Sequence, residues 1–137
     1  MARVMALDFG YKRTGIAVTD DFQLIASGLT TVDTAQLMPF IKTYTASENV
    51  ALVLIGLPKQ MNNTLSDAAP GVLEFVKAFR ENFPTLPIET VDERFTSKIA
   101  MQSLHTQGAK KKQKHNKALL DEISATLLLQ DYLNRKS

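Results

Sequence analysis

The run from Val50 to Ile55, Val-Ala-Leu-Val-Leu-Ile, holds no polar residue. A strand with one wet face alternates apolar and polar side chains. An unbroken run of this length suits an interior strand covered on both faces. Covering both faces calls for a layered α/β arrangement. The segments from Arg3 to Phe9, Gly15 to Thr19 and Leu24 to Val32 read as three further strands. Their short connections require an antiparallel meander. Pro87 to Val91 reads as a fifth strand.

Helical patterns fill the intervals. Asp33 or Thr34 can cap a helix to about Ala46, with Leu37, Phe40, Ile41 and Tyr44 on one face. Ser66 or Asp67 can open a second, carrying Leu73, Val76 and Phe79 and stopped at Phe83-Pro84. Thr96 or Ser97 can cap a third to about Gln107, with Gly108 ending it. Asn116 can cap a last helix to about Asn134. The fourth and fifth strands each follow a helix, so they cross over and pair in parallel. The expected fold is one α/β domain over residues 1–137. Its mixed five-stranded sheet has three antiparallel strands, then two parallel ones, and is flanked by helices.

Composition narrows the chemistry. The 137 residues suffice for one packed core. The absence of cysteine excludes disulfides and thiolate metal sites, and two histidines do not make a His-rich zinc site. A metal held by hard oxygens stays open. The longest apolar stretch, Val50 to Leu57, is too short to span a bilayer. The N-terminal apolar run is cut by Asp8, so no signal peptide is visible and a cytoplasmic location is expected. The formal net charge of +2 hides a concentration of Lys110, Lys111, Lys112, Lys114 and Lys117, without which the chain is net acidic. Such a cluster can contact a phosphate backbone or can simply form a solvated segment.

Three acidic positions stand out. Asp8 follows Val4-Met5-Ala6-Leu7, and a carboxylate in a core strand needs a compensating charge. Asp92-Glu93-Arg94 follows directly on the fifth strand. Acids there can also serve the dipole of a following helix. Asp121 shares a helix face with Ala118, Ala125, Leu128 and Tyr132, where the stripe should be apolar. An ion pair with Arg94 or a lysine is the structural alternative. Glu122 lies on another face and reads as an ordinary surface residue. Three carboxylates from separate elements suit Mg²⁺ or Mn²⁺, which take oxygen ligands and keep waters for a phosphate to displace. On this reading Asp8, Glu93 and Asp121 are catalytic metal ligands, with Asp92 a weaker candidate than Glu93. Lys12, Arg13, Arg94 and the lysine segment (Lys110, Lys111, Lys112 and Lys114) can bind substrate phosphates; Lys12 and Arg13 can equally be exposed turn charges, and Arg94 can orient Glu93 or form a structural salt bridge. Tyr11 can stack on a base or cover the edge of the core. His115 is an exposed loop residue or a minor proton carrier.

The stretches Leu7-Asp8-Phe9-Gly10-Tyr11-Lys12-Arg13-Thr14-Gly15, Gly56-Leu57-Pro58 with Asn62, and Asp92-Glu93-Arg94-Phe95-Thr96-Ser97 resemble the YqgF family, also called RuvX. Leu120-Asp121-Glu122-Ile123-Ser124-Ala125 is a looser fourth match. The resemblance implies an RNase H-like fold and a metal-dependent endonuclease, with Asp8, Glu93 and Asp121 as its acidic triad. It further implies processing of the 5′ end of pre-16S rRNA, or alternatively resolution of Holliday junctions, by a monomer or a homodimer. The partner is then structured RNA or branched DNA, with no membrane involved. Asn63 stands where the family often has glycine, which bears on substrate contacts in that loop. Two readings of other classes remain: a non-catalytic RNA-binding ribosome-assembly factor, and an actin-type ATPase. The second is opposed by length, since those enzymes close two such domains on a nucleotide.

Overall fold

A computed structural model describes residues 2–57, 69–92 and 113–136. Five strands form one sheet: β1 (Arg3–Asp8), β2 (Arg13–Thr19), β3 (Ala26–Asp33), β4 (Val50–Leu57) and β5 (Ile88–Asp92). Their spatial order is β3-β2-β1-β4-β5. β1 pairs antiparallel with β2 and β2 with β3, while β4 pairs parallel with both β1 and β5. This is the mixed sheet expected from the sequence. Three helices are described: α1 (Leu37–Ser47), α2 (Ala69–Asn82) and α3 (Gln113–Lys136). The helix expected between Thr96 or Ser97 and Gln107 lies outside the described residues, as do the proposed caps Ser66 and Asp67 and the loop after Leu57.

Strand alternation sends side chains to two different layers. Met5, Leu7, Ile16, Val18, Val53, Ile55 and Ile88 meet Leu37 and Ile41 of α1 and Val72, Val76 and Phe79 of α2. On the other face, Val4, Ala6, Ala17 and Leu54 meet Ala125, Leu128 and Leu129 of α3. The unbroken apolar run therefore has the expected cause: Val53 and Ile55 serve one layer and Leu54 the other.

Several boundaries differ from the sequence reading, two of them for identifiable reasons. β3 starts at Ala26 rather than Leu24. The Asp20 carboxylate accepts the backbone N–H groups of Phe22, Leu24 and Ile25 at 2.8–3.2 Å, which holds that stretch in a turn. These bonds, the one from Ile25 foremost, hold the Asp20 carboxyl below its usual range. The first helix is preceded by a 3-10 turn, Thr34–Gln36, and no side chain caps either segment. The Thr34 hydroxyl is committed elsewhere, to the Gly10 carbonyl and the Thr14 hydroxyl. The last helix begins at Gln113, ahead of the expected Asn116.

Candidate active site

Asp8 is the last residue of β1, at the end of the sheet where the parallel strands β1, β4 and β5 all terminate. Its alternation with Val4 and Ala6 puts it on the face that α3 covers. Its cross-strand partner is Gly15 on β2. Directly paired residues point to the same face, so Gly15 belongs to that face too. A Cβ placed on Gly15 would overlap the Asp121 carbonyl and lie 2.7 Å from the Glu122 backbone nitrogen. The missing side chain is what lets the backbone of α3 rest on β2 at this point. Asp121 is thereby carried to the strand beside Asp8. The sequence reading brings these two acids together, and the structure sets them on one face with a glycine between.

Arg13, the first residue of β2, donates from Nε to Asp121 Oδ2 at 3.1 Å. Both side chains are about three-quarters covered, with 29% and 24% of their surface exposed. Burial pushes the Asp121 carboxyl above its usual value, and the guanidinium only partly offsets that rise. The alternative of an ion pair for Asp121 is therefore realised with Arg13, while the side chains of Arg94 and the lysine segment lie outside the described residues. Lys12 is exposed at the tip of the same turn.

That turn is clamped from two sides. Thr34 donates its backbone N–H to the Lys12 carbonyl at 3.1 Å and its hydroxyl to the Gly10 carbonyl. Gly10 is tight as well, since a Cβ there would lie 2.6 Å from the Arg13 carbonyl oxygen. On the far side, the Gly71 N–H of α2 donates to the Tyr11 hydroxyl at 3.2 Å. The Tyr11 ring packs edge-on to Phe9, which meets Phe75 of α2 at 5.7 Å between centroids. Of the two roles open to Tyr11, the structure shows an edge contact that ties the turn to α2.

β5 lies two strands from β1, so the Asp8 level and the end of β5 are roughly 10 Å apart. Val91 pairs with Gly56 and packs in the α3 layer. Asp92 ends β5. Glu93, Arg94, Lys110, Lys111 and Lys112 lie outside the described residues, and Lys114 and Lys117 are placed by their backbone alone, in the first turns of α3. Among the described residues no three His, Cys, Asp or Glu side chains form a metal-binding group.

Sequence reasoning missed two contributors. Gly15 and Gly28 are glycines inside strands, a pattern that signals close backbone approach. Glu122 is a correction: it is half-buried, with its carboxylate over Gly28 of β3, where a Cβ would lie 2.7 Å from Oε1. Helix periodicity alone set it on an outer face, because the breadth of the α3 contact depends on the glycines beneath it.

Residues 2–135 match the sequence profile of a family described as RuvX, Holliday junction resolvase. A Flavobacterium psychrophilum protein named "Putative pre-16S rRNA nuclease" is 55% identical over 136 residues, covering 99% of both chains. A relative of the same name in Bacteroides thetaiotaomicron is 54% identical with the same coverage. One in Porphyromonas gingivalis is 42% identical over 134 residues, covering 98% of this chain and 97% of its own. Among solved structures, the fowlpox virus Holliday junction resolvase superposes with a TM-score of 0.53 at 14% identity. That match covers 97% of this chain and 99% of the viral one, which is a likeness of fold. Near-complete coverage and identity above one half agree with the profile match: the chain belongs to the RuvX family.

Proposed function

We propose that this chain is a metal-dependent endonuclease that hydrolyses phosphodiester bonds, acting on the 5′ region of pre-16S rRNA. The observation that carries this reading is the convergence of Asp8 and Asp121 across Gly15, at the end of the sheet where the parallel strands stop. Ligand sites of α/β sheets collect at that end. The names of relatives at 52–55% identity supply the substrate.

The donor set fits a hard divalent cation. Both oxygens come from carboxylates, and the chain offers no thiolate. Asp8 and Asp121, with Glu93 as third ligand, would hold Mg²⁺ or Mn²⁺, which supplies an acidified water and charge neutralisation at the phosphodiester. Glu93 is preferred to Asp92 because the resemblance of Asp92-Glu93-Arg94-Phe95-Thr96-Ser97 to the family matches Glu93 to its acidic triad. From the clamped turn Lys12 would meet a flanking phosphate, and Arg13 would do so when released from Asp121, with Arg94 and Lys110, Lys111, Lys112 and Lys114 as further backbone contacts. Partial burial of the acids limits water around them and strengthens every charge interaction they make. The whole chain acts as one domain in the cytoplasm. Among the described residues no helix is long and apolar enough to cross a membrane.

A second reading, resolution of four-way DNA junctions, is favoured by the description of the matching family. One comparison separates the two. Wild type and Asp8→Asn are assayed with Mn²⁺ and with chelator, on a precursor-type structured RNA and on a four-way DNA junction. Metal-dependent cutting of the RNA, absent in Asp8→Asn with its melting temperature retained, is expected. Faster cutting of the junction would move the assignment to a resolvase. Binding without cutting on either substrate would replace both with a non-catalytic RNA-binding role.

A further inference from the structure

Arg13 and a divalent cation would compete for one carboxylate. Asp121 is largely covered, and a covered carboxylate needs a positive neighbour. Arg13 Nε fills that need at 3.1 Å through a single hydrogen bond, not the two-point fork of which a guanidinium is capable. Neither backbone can retreat. The chain at Asp121 rests on Gly15, and the chain at Arg13 is held by pairing with Asp33 and by the Thr34 clamp on the preceding turn. What can move is the guanidinium, on its long rotatable stem. A cation taken up by Asp8 and Asp121 would repel it at short range.

We propose that Arg13 is a place-holder counter-ion: it neutralises Asp121 until a divalent cation replaces it, and then turns its guanidinium to a substrate phosphate. The idea rests on the metal-dependent reading above and adds a coupling to it. Cation uptake frees the phosphate ligand, so cation and nucleic acid strengthen each other's binding by one and the same factor. A bare carboxylate pair would instead be open and repulsive to the polyanion before the cation arrives.

The test uses Mn²⁺ alone, without nucleic acid, titrated calorimetrically into wild type and Arg13→Gln. Losing the competitor should tighten Mn²⁺ binding about three- to fivefold, the scale of one partly exposed ion pair. A parallel measurement follows a labelled structured RNA in chelator. Asp121→Asn releases Arg13 without any cation, so it should bind RNA more tightly than wild type. That gain should vanish in the Arg13→Gln/Asp121→Asn double variant. Equal or weaker Mn²⁺ binding by Arg13→Gln would overturn the place-holder role, as would a gain that survives in the double variant. If Arg13→Gln fails to fold, Arg13→Lys carries the titration, with an affinity no weaker than wild type expected. A wild type that binds no Mn²⁺ removes the metal site and the place-holder together. Normal wild-type binding with no change in Arg13→Gln removes the place-holder alone.

Discussion

On the face covered by α1 and α2, the sheet presents Met5, Leu7, Ile16, Val18, Val53 and Ile55. On the face covered by α3, it presents Val4, Ala6, Ala17 and Leu54, with Gly15 and Gly28 beside them. The first face is filled by bulk. The aromatic file Phe75, Phe79 and Phe83 extends it, with ring centroids 6.1 and 4.7 Å apart. The second face is stripped of bulk, so that the backbone of α3 touches the strands. Bulk provides burial, which scales with apolar area whatever its detailed placement. Close backbone contact provides position, since a carboxylate one methylene from a seated helix has few places to go. One face therefore serves chiefly stability and the other chiefly the placement of Asp121.

Three substitutions would sharpen or break that division. The largest effect is expected from Phe79→Ala. Phe79 is fully buried against both α2 neighbours and the sheet, so its loss should cost about 3–5 kcal/mol in denaturant unfolding. Cleavage per folded molecule should stay near wild type, and a large loss of it would show that both faces shape the site. Gly15→Ala comes next. The new methyl collides with backbone, which cannot rotate away, and overpacking of this kind costs about 1–3 kcal/mol. Here activity should fall far more than stability, because Asp121 is displaced from Asp8. A variant that keeps full activity would mean that the close contact does not set the site.

The smallest effect is expected from Asp121→Asn, and its sign is opposite. Burial raises the Asp121 carboxyl, so the folded state disfavours its ionised form. Such a group contributes stability that is present below its unfolded value near 3.8 and lost as pH rises through its folded value. At neutral pH the carboxylate therefore weakens the fold, and Asp121→Asn should melt slightly higher than wild type while losing activity. The gap should close on acidification below about pH 4. A variant that melts lower at neutral pH would make the Arg13 ion pair a net support of the fold.

Much of the fold is written in local patterns, and the reasons are physical. The apolar run at Val50–Ile55 reports two-sided burial directly, because each residue answers to one layer or the other. Short turns leave the first three strands only an antiparallel arrangement, and intervening helices leave the last two only a parallel one. Asp8 and Asp121 are conspicuous because each interrupts an apolar pattern. The Arg13–Asp121 pair is not legible in this way, since 108 residues separate its members and no periodicity links them. The true start of β3 was hidden by the Asp20 side chain, whose hydrogen bonds compete with the ladder for the same N–H groups. Glu122 was misplaced because its surroundings depend on two glycines that create space.

The long separation between Arg13 and Asp121 has a consequence for the order of synthesis. The strands bearing Asp8 and Arg13 leave the ribosome early, and α3 is the last described element to follow. Until it emerges, Ala6, Ala17 and Leu54 lack their cover and Asp8 lacks its acidic neighbour. A growing chain thus displays the basic turn at Lys12 and Arg13 well before it can assemble the carboxylate pair. Among the described elements, α3 is the one whose arrival brings Asp121 to the face of the sheet that carries Asp8.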